Sequence, residues 1–227
     1  MLDLILQNGY WALLLTFGAY QLGLFLHKKT GSALLHPIIV ATAVVIPFLL
    51  LTGISNESYQ AGMKSISWLL TPCTVCLGIS LYTQLNKLKG HIWAILAGII
   101  AGTAVSLLSV WGLCALFGLD KVMLITLLPK SVTTAMAQPL CESGGGIGAL
   151  TATVVILTGV LGNIFGTALC KLFRLTDPIS RGVAFGTASH VVGTTKAAEL
   201  SELTGAVSSL SLVIAGLITA IAFSFLV

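Results

Sequence analysis

Long apolar runs separated by short polar connections follow one another along the whole chain. Clear hydrophobic helices are predicted at Tyr10–Leu26, Ala33–Ile54, Trp68–Tyr82, Ile92–Phe117, Ile147–Phe173 and Thr204–Val227. A helix needs about 20 apolar residues to cross roughly 30 Å of hydrocarbon. The pattern therefore predicts an all-α polytopic membrane protein and leaves no room for a soluble domain.

Two further stretches, Val122–Leu140 and Ile179–Leu200, begin apolar and then turn polar. The residues that interrupt or polarise them are Pro129, Lys130 and Pro139 in the first, and Gly186, Ser189, His190, Gly193 and Lys196 in the second. Irregular backbone at membrane depth persists only where it is buried in protein or lines a watery cavity. We therefore predict two broken or re-entrant helices, with Pro129, Pro139, Gly186 and Gly193 as helix-breaking residues. About six to eight membrane segments result.

Composition agrees with this class. The 227 residues are 56% hydrophobic and 8% charged, whereas a soluble domain carries about 25% charged residues. The net charge of +4 is too small and too scattered to indicate nucleic-acid binding. The first apolar run, near Tyr10, has neither a basic leader nor an Ala-x-Ala-like cleavage site, so we expect a retained helix.

The distribution of basic residues bears on topology. Three clusters follow apolar runs: Lys28 and Lys29; Lys87 and Lys89; and Lys171, Arg174 and Arg181. If both polar stretches cross the membrane, the last cluster lies on the opposite side from the first two. If both stretches enter and return on one side, all three clusters become cytoplasmic. The positive-inside rule favours this second arrangement, with the N-terminus outside.

An internal repeat is also visible. A shift of 57 positions aligns Asp120 with Asp177 and Glu142 with Glu199, and it places "GALTATVVILTGVL" over "GAVSSLSLVIAGLI". Each copy, residues 119–174 and 176–227, contains one broken stretch followed by one full helix. With re-entrant stretches the copies have opposite orientations, and inverted repeats with interrupted helices are typical of secondary transporters.

The two polar stretches carry the candidate chemistry. Free backbone N–H groups at a broken helix attract anions, and lysine and hydroxyl side chains add donors suited to a small carboxylate. The candidate substrate-binding residues are Lys130, Ser131, Thr133 and Thr134 in the first stretch, and Thr187, Ser189, His190, Thr194 and Lys196 in the second. His190 titrates near neutrality in its unperturbed state. His190, Glu142 and Glu199 are therefore the candidate proton-coupling groups.

Structural explanations remain open for the same residues. Lys130 and Lys196 could extend to a membrane interface, and His190 could be a hydrogen-bonded structural residue. Glu142 and Glu199 could lie in solvated loops. The pair Cys73-x-x-Cys76 lacks the surrounding pattern of a redox domain. No cofactor or metal site is predicted, and an enzyme is the least expected class because no nucleophile–base set occurs.

At "LLPKSVTTAMA" and "GTASHVVGTTKAAEL" the chain closely resembles the bacterial LrgB/CidB membrane family, which includes the C-terminal part of the chloroplast glycolate/glycerate transporter. The similarity covers essentially the full length, including "VVIPFLLLTGIS" and "LLTPCTVCLGISLYTQL". It implies one LrgB-like domain over residues 1–227, multi-pass in a bacterial cytoplasmic membrane. Lys196 stands where arginine is usual, which keeps the charge but loses a bidentate fork for a carboxylate.

The resemblance implies two functions of different class. The first is transport of small monocarboxylates such as glycolate, glycerate or pyruvate, with protons as the candidate coupling ion. The second is a holin/antiholin-like role, in which the protein and a small LrgA/CidA-type membrane partner modulate murein hydrolase activity and lysis. A homo-oligomer in the lipid bilayer is expected in either case. The paired cationic stretches favour transport, because a passive lesion needs no duplicated polar site.

Overall fold

The described part of the molecule is helical throughout. The computed structural model describes residues 10–30, 35, 37–69, 72, 82 and 89–227, and no β-strand occurs within these ranges. They belong to two compact units, residues 1–76 and 77–227. The α-helices are α1 (Tyr10–Thr30), α2 (Pro37–Thr52), α3 (Asn56–Ser67), α4 (Ile92–Leu116), α5 (Lys121–Leu127), α6 (Thr134–Ser143), α7 (Gly148–Leu172), α8 (Pro178–Leu200) and α9 (Glu202–Leu226).

The all-α class and five of the predicted hydrophobic helices are confirmed, as α1, α2, α4, α7 and α9. The sixth, Trp68–Tyr82, lies mostly outside the described residues, as does the Cys73-x-x-Cys76 pair. Helices α4, α7 and α9 have 25 residues each and are long and apolar enough to cross a membrane. The described residues therefore contain three candidate membrane spans.

Helix α3 of the first unit was not predicted from hydropathy, because most of its residues are polar. Its N-terminus is capped by Ser55, whose side chain accepts a hydrogen bond from the Ser58 amide. It packs on α1 through Tyr59, whose hydroxyl lies 2.7 Å from Thr16 Oγ1. The Tyr59 ring also lies 6.1 Å from the Trp11 ring, centroid to centroid. The apolar spacing of Tyr59 and Met63 is the helical signal that could have revealed α3.

Helix α8 is the centre of the second unit and packs against α4, α7 and α9. Glycines bring these helices close together. A Cβ atom at Gly162 or Gly166 of α7 would collide with Ser189 or Phe185 of α8, and one at Gly186 of α8 would collide with α9. Small residues at such contacts let helix backbones approach closely, which strengthens van der Waals packing in a membrane.

Three predicted helix breaks are corrected by the structure. Helix α6 continues through Pro139, since proline removes only one backbone hydrogen bond there and the helix is held against α7, where buried Ala137 packs with Val155. Gly186 and Gly193 both have helical backbone, and the interruption in α8 falls between them at His190. Each glycine instead allows a close approach of neighbouring atoms. Pro129 does lie between two helices, α5 and α6.

The contact between α7 and α8 can be tested with a compensating pair of substitutions. We expect Gly162→Ala to lower the thermal unfolding midpoint of the purified protein in detergent, because its Cβ would overlap the Ser189 side chain. Adding Ser189→Gly removes that side chain, and the nearest remaining Ser189 atom, its Cα, lies at 3.6 Å. The double variant should melt no lower than Ser189→Gly alone, which itself costs about 1 kcal/mol of helix propensity. Additive losses would contradict the contact.

Candidate functional site

Two interruptions of helical backbone occur at corresponding positions of the second unit. Thr133, the first residue before α6, has extended backbone with φ −67° and ψ 148°. His190 interrupts α8 with φ 41° and ψ −137°, and it lies 57 positions further on. At the same spacing, Asp120 and Asp177 cap α5 and α8, each accepting a backbone N–H at 2.8 Å. The same spacing is the one expected from the repeat, which stays a prediction together with its inverted orientation and the single-domain organisation.

Lys130 lies at the first interruption, between α5 and α6. Its Nζ donates hydrogen bonds to Ser131 Oγ at 3.0 Å and to Ser106 Oγ of α4 at 3.2 Å. The two serine hydroxyls are themselves 2.9 Å apart. Among the described residues no carboxylate pairs with Lys130. The ion pair that these residues do contain joins Lys196 to Glu199, at the end of α8. Within the described residues, the hydrogen-bond partners of the half-buried Lys130 ammonium group are therefore two serine hydroxyls.

A small polar cavity adjoins this group. Its hydroxyl-bearing lining residues are Thr103, Ser106, Ser131, Thr187 and Thr219. It offers about 10 Å³ to the centre of a water molecule, which is room for roughly one water. The buried hydroxyl of Thr103 has no hydrogen-bond partner among the described residues. The cavity thus lies between α4, α9, Ser131 of the first polar stretch and Thr187 of the second.

The second interruption is enclosed by protein. The buried His190 ring places Nε2 2.8 Å from the Val155 carbonyl of α7. Because a carbonyl can only accept, Nε2 carries the proton that it donates. Thr194 Oγ1 donates to the His190 carbonyl at 2.9 Å and lies 2.8 Å from Ser208 Oγ of α9. Asn163 of α7 donates to the Val192 carbonyl at 3.1 Å, so the freed backbone groups have side-chain partners.

The remaining predicted site residues lie apart from these two sets of contacts. Lys196 Nζ is 2.7 Å from Glu199 Oε2 near the exposed end of α8. Glu142 is exposed and accepts a hydrogen bond from Gln138 at 3.0 Å. Thr133 and Thr134 are half-buried at the start of α6. The structure therefore brings Ser131 and Thr187 to one cavity, with Lys130 bonded to Ser131, while Ser189, His190 and Thr194 contact α7 and α9. The functional roles of all these residues stay predictions.

Three residues of the cavity were missed by reasoning from the sequence: Thr103, Ser106 and Thr219. Each is a hydroxyl residue inside a long apolar helix, where Ser and Thr often bond their own backbone. Thr219 does so, donating to the Ala215 carbonyl at 2.7 Å. No signal in one sequence separates such a residue from Ser106, which accepts from a lysine on another element.

Comparison with known proteins gives matches along nearly the whole chain. The model of the LrgB-like family matches residues 16–227. The chain is 36% identical over 214 residues to the "Antiholin-like protein LrgB" of Bacillus subtilis (strain 168), covering 94% of this chain and 93% of the relative. It is also 36% identical over 217 residues to the protein of the same name from Bacillus mycoides (strain KBAB4), covering 95% and 94%. No solved structure gives a significant match.

The backbone of His190 allows a test of the second interruption. A positive φ in a residue other than glycine is strained, so glycine should relieve the strain at this position. Both His190→Gly and His190→Ala lose the bond to Val155, but only the glycine variant relaxes the backbone. We expect His190→Gly to be more stable than His190→Ala by about 1 kcal/mol, measured by thermal unfolding in detergent.

Val191, the exposed and helical neighbour of His190, provides the matched control. At this position Val191→Ala should be more stable than Val191→Gly by about 1 kcal/mol, because glycine weakens a helix interior. If His190→Ala is also more stable than His190→Gly, the backbone of His190 is not strained, and α8 is not interrupted at this residue.

Proposed function

Because the chain belongs to the LrgB-like family, we propose that it is an antiholin-like protein of the bacterial cytoplasmic membrane. The observation that carries this proposal is the 36% identity, over 94% of the chain, to a relative named "Antiholin-like protein LrgB". In this role the protein restrains holin-type permeabilisation and so lowers murein hydrolase activity and lysis. A small LrgA/CidA-type membrane protein is the expected partner. The chain would cross the membrane several times, with about six to eight segments.

The architecture of the second unit is consistent with a role that does not depend on opening a passive lesion. Its interior is filled by α8, which packs against three other helices. Large apolar side chains instead face outward, among them Trp93 (81% exposed) and Trp111 (55% exposed) of α4. Outward apolar faces suit contact with lipid or with a partner's membrane helices.

The antiholin-like role predicts slower lysis in cells that make the protein. We would express the chain in a bacterial host that lacks its own LrgB-type protein and measure autolysis rate and murein hydrolase activity on zymograms. Autolysis should slow relative to cells carrying an empty vector. A second culture making Lys130→Met tests whether the effect depends on the polar cavity. Lysis at the empty-vector rate, with wild-type protein present in the membrane, would sink the antiholin-like proposal.

A second candidate function is passage of small carboxylates of the glycolate, glycerate and pyruvate class. The observation that favours it is Lys130, a lysine with hydroxyl partners and no carboxylate among the described residues. Ionisable groups at membrane depth mark substrate or ion pathways by default. In this mechanism Lys130 attracts the carboxylate, while Ser106, Ser131 and Thr187 supply hydroxyl contacts. His190, Glu142 and Glu199 remain the candidates for proton coupling, and Lys196 for a second cationic contact.

The second candidate predicts a large effect of Lys130 on flux. In proteoliposomes with labelled glycolate or pyruvate, Lys130→Met should lower the flux more than tenfold, a change of about 1.4 kcal/mol. Lys121→Met is the matched control, because Lys121 lies on the exposed start of α5 and its Nζ reaches only the Val227 carbonyl. Lys196→Met tests whether the lysine paired with Glu199 contributes. Normal flux through Lys130→Met would remove this function from the polar cavity.

A further inference from the structure

An apolar groove runs between α7 and the first half of α8, on a different face from the polar cavity. Its volume is about 370 Å³. The residues that give it this character include Leu161, Phe165, Phe173, Leu175, Ala184 and Ala188. Phe165 is 51% exposed and Phe173 is 69% exposed, so the groove is open along its side. In a membrane protein such a side opening faces the lipid.

Cationic side chains lie where the groove reaches the connection between α7 and α8. Arg181 of α8 precedes the lining residues Ala184 and Phe185 by one helical turn, which places it on the same face. Its Nε donates to the carbonyl of Leu175 at 2.6 Å, and Leu175 is itself a lining residue of the groove. The terminal nitrogens of Arg181 have no hydrogen-bond partner within the described ranges, so they are available to an anion.

Two more cations belong to the same connection. Lys171 is in the last turn of α7 and Arg174 lies three residues further on, just after the end of the helix, and both are exposed. Asp177 is the one acidic residue between positions 170 and 185. Its carboxylate already accepts hydrogen bonds from the Ser180 amide and hydroxyl, at 2.8 and 2.9 Å. The groove therefore ends at a surface with three cationic side chains and one carboxylate, which is already hydrogen-bonded to Ser180.

We propose that this groove binds an anionic phospholipid, with an acyl chain between α7 and α8 and the headgroup on Lys171, Arg174 and Arg181. The apolar lining matches a hydrocarbon chain, and the cations match the phosphate, as in basic pockets between membrane helices. A partner helix fits the groove less well. An apolar membrane helix in the same groove would leave the three cations at its end without an anionic group.

This lipid site is separate from Lys130 and does not depend on either proposed function. Its test is native mass spectrometry of the purified full chain in a mild detergent, titrated with dioleoyl phosphatidylglycerol or dioleoyl phosphatidylcholine. We expect phosphatidylglycerol to bind about tenfold more tightly, because each cation near a headgroup strengthens binding to anionic lipid. The double variant Lys171→Gln/Arg174→Gln should lower this preference to about twofold, because Arg181 is the one cation of the three that remains. Its matched control, Lys28→Gln/Lys29→Gln, removes the same charge from α1 and should keep the tenfold preference.

A second pair of variants tests the apolar part of the site. Ala188→Phe should fill the groove and weaken binding of both lipids about tenfold, since Ala188 lines it. Ala168→Phe places the same ring on an exposed position of α7 outside the groove and should leave binding unchanged. Equal binding of the two lipids by the wild-type chain would overturn the headgroup assignment. Unchanged binding in Ala188→Phe would overturn the groove, and so would a protein dimer that forms at the groove and excludes lipid.

Discussion

The fold of the second unit depends on satisfying the backbone groups that are freed where α8 is interrupted. Inside a membrane protein no bulk water is at hand, and each unpaired backbone group costs several kcal/mol. Side chains of α8 itself and of α7 meet this demand around His190. Thr194 bonds the His190 carbonyl, and Asn163 of α7 reaches the Val192 carbonyl. The interruption is therefore stabilised by the contact between α7 and α8.

Close helix packing follows from that requirement. Asn163 and the His190 ring can bond across the α7–α8 contact only if the two backbones approach closely. Gly159 and Gly162 make this possible, because a Cβ at either position would collide with His190 or Ser189. The small residues and the polar bonds are thus two parts of one arrangement. The first interruption differs, since Lys130 meets hydroxyls of α4 and its own stretch instead of backbone carbonyls.

The sequence predicts the long helices well and their interruptions only coarsely. Runs such as Ile92–Phe117 exceed the thickness of the bilayer, so hydropathy alone identifies α4. Hydropathy does not identify helix α3, because this helix is amphipathic and most of its residues are polar. Lys130 stands out from its apolar surroundings, but its partner Ser106 does not, because a serine in an apolar helix usually bonds its own turn. The interruption of α8 falls at a histidine with positive φ. Tertiary contacts determine this position, and helix propensity does not predict it.

The short length of α5 has a consequence for how the protein is made. Seven residues rise only about 10 Å, a third of the hydrocarbon thickness. The insertion machinery recognises segments nearly three times as long, so α5 cannot be selected as a membrane helix during synthesis. Because α5 is short and the segment between α4 and α7 also contains Lys130 and Pro139, this segment partitions poorly into lipid by itself. In the predicted topology, its entry into the membrane is driven by packing against helices already inserted, which joins membrane insertion to folding in one step.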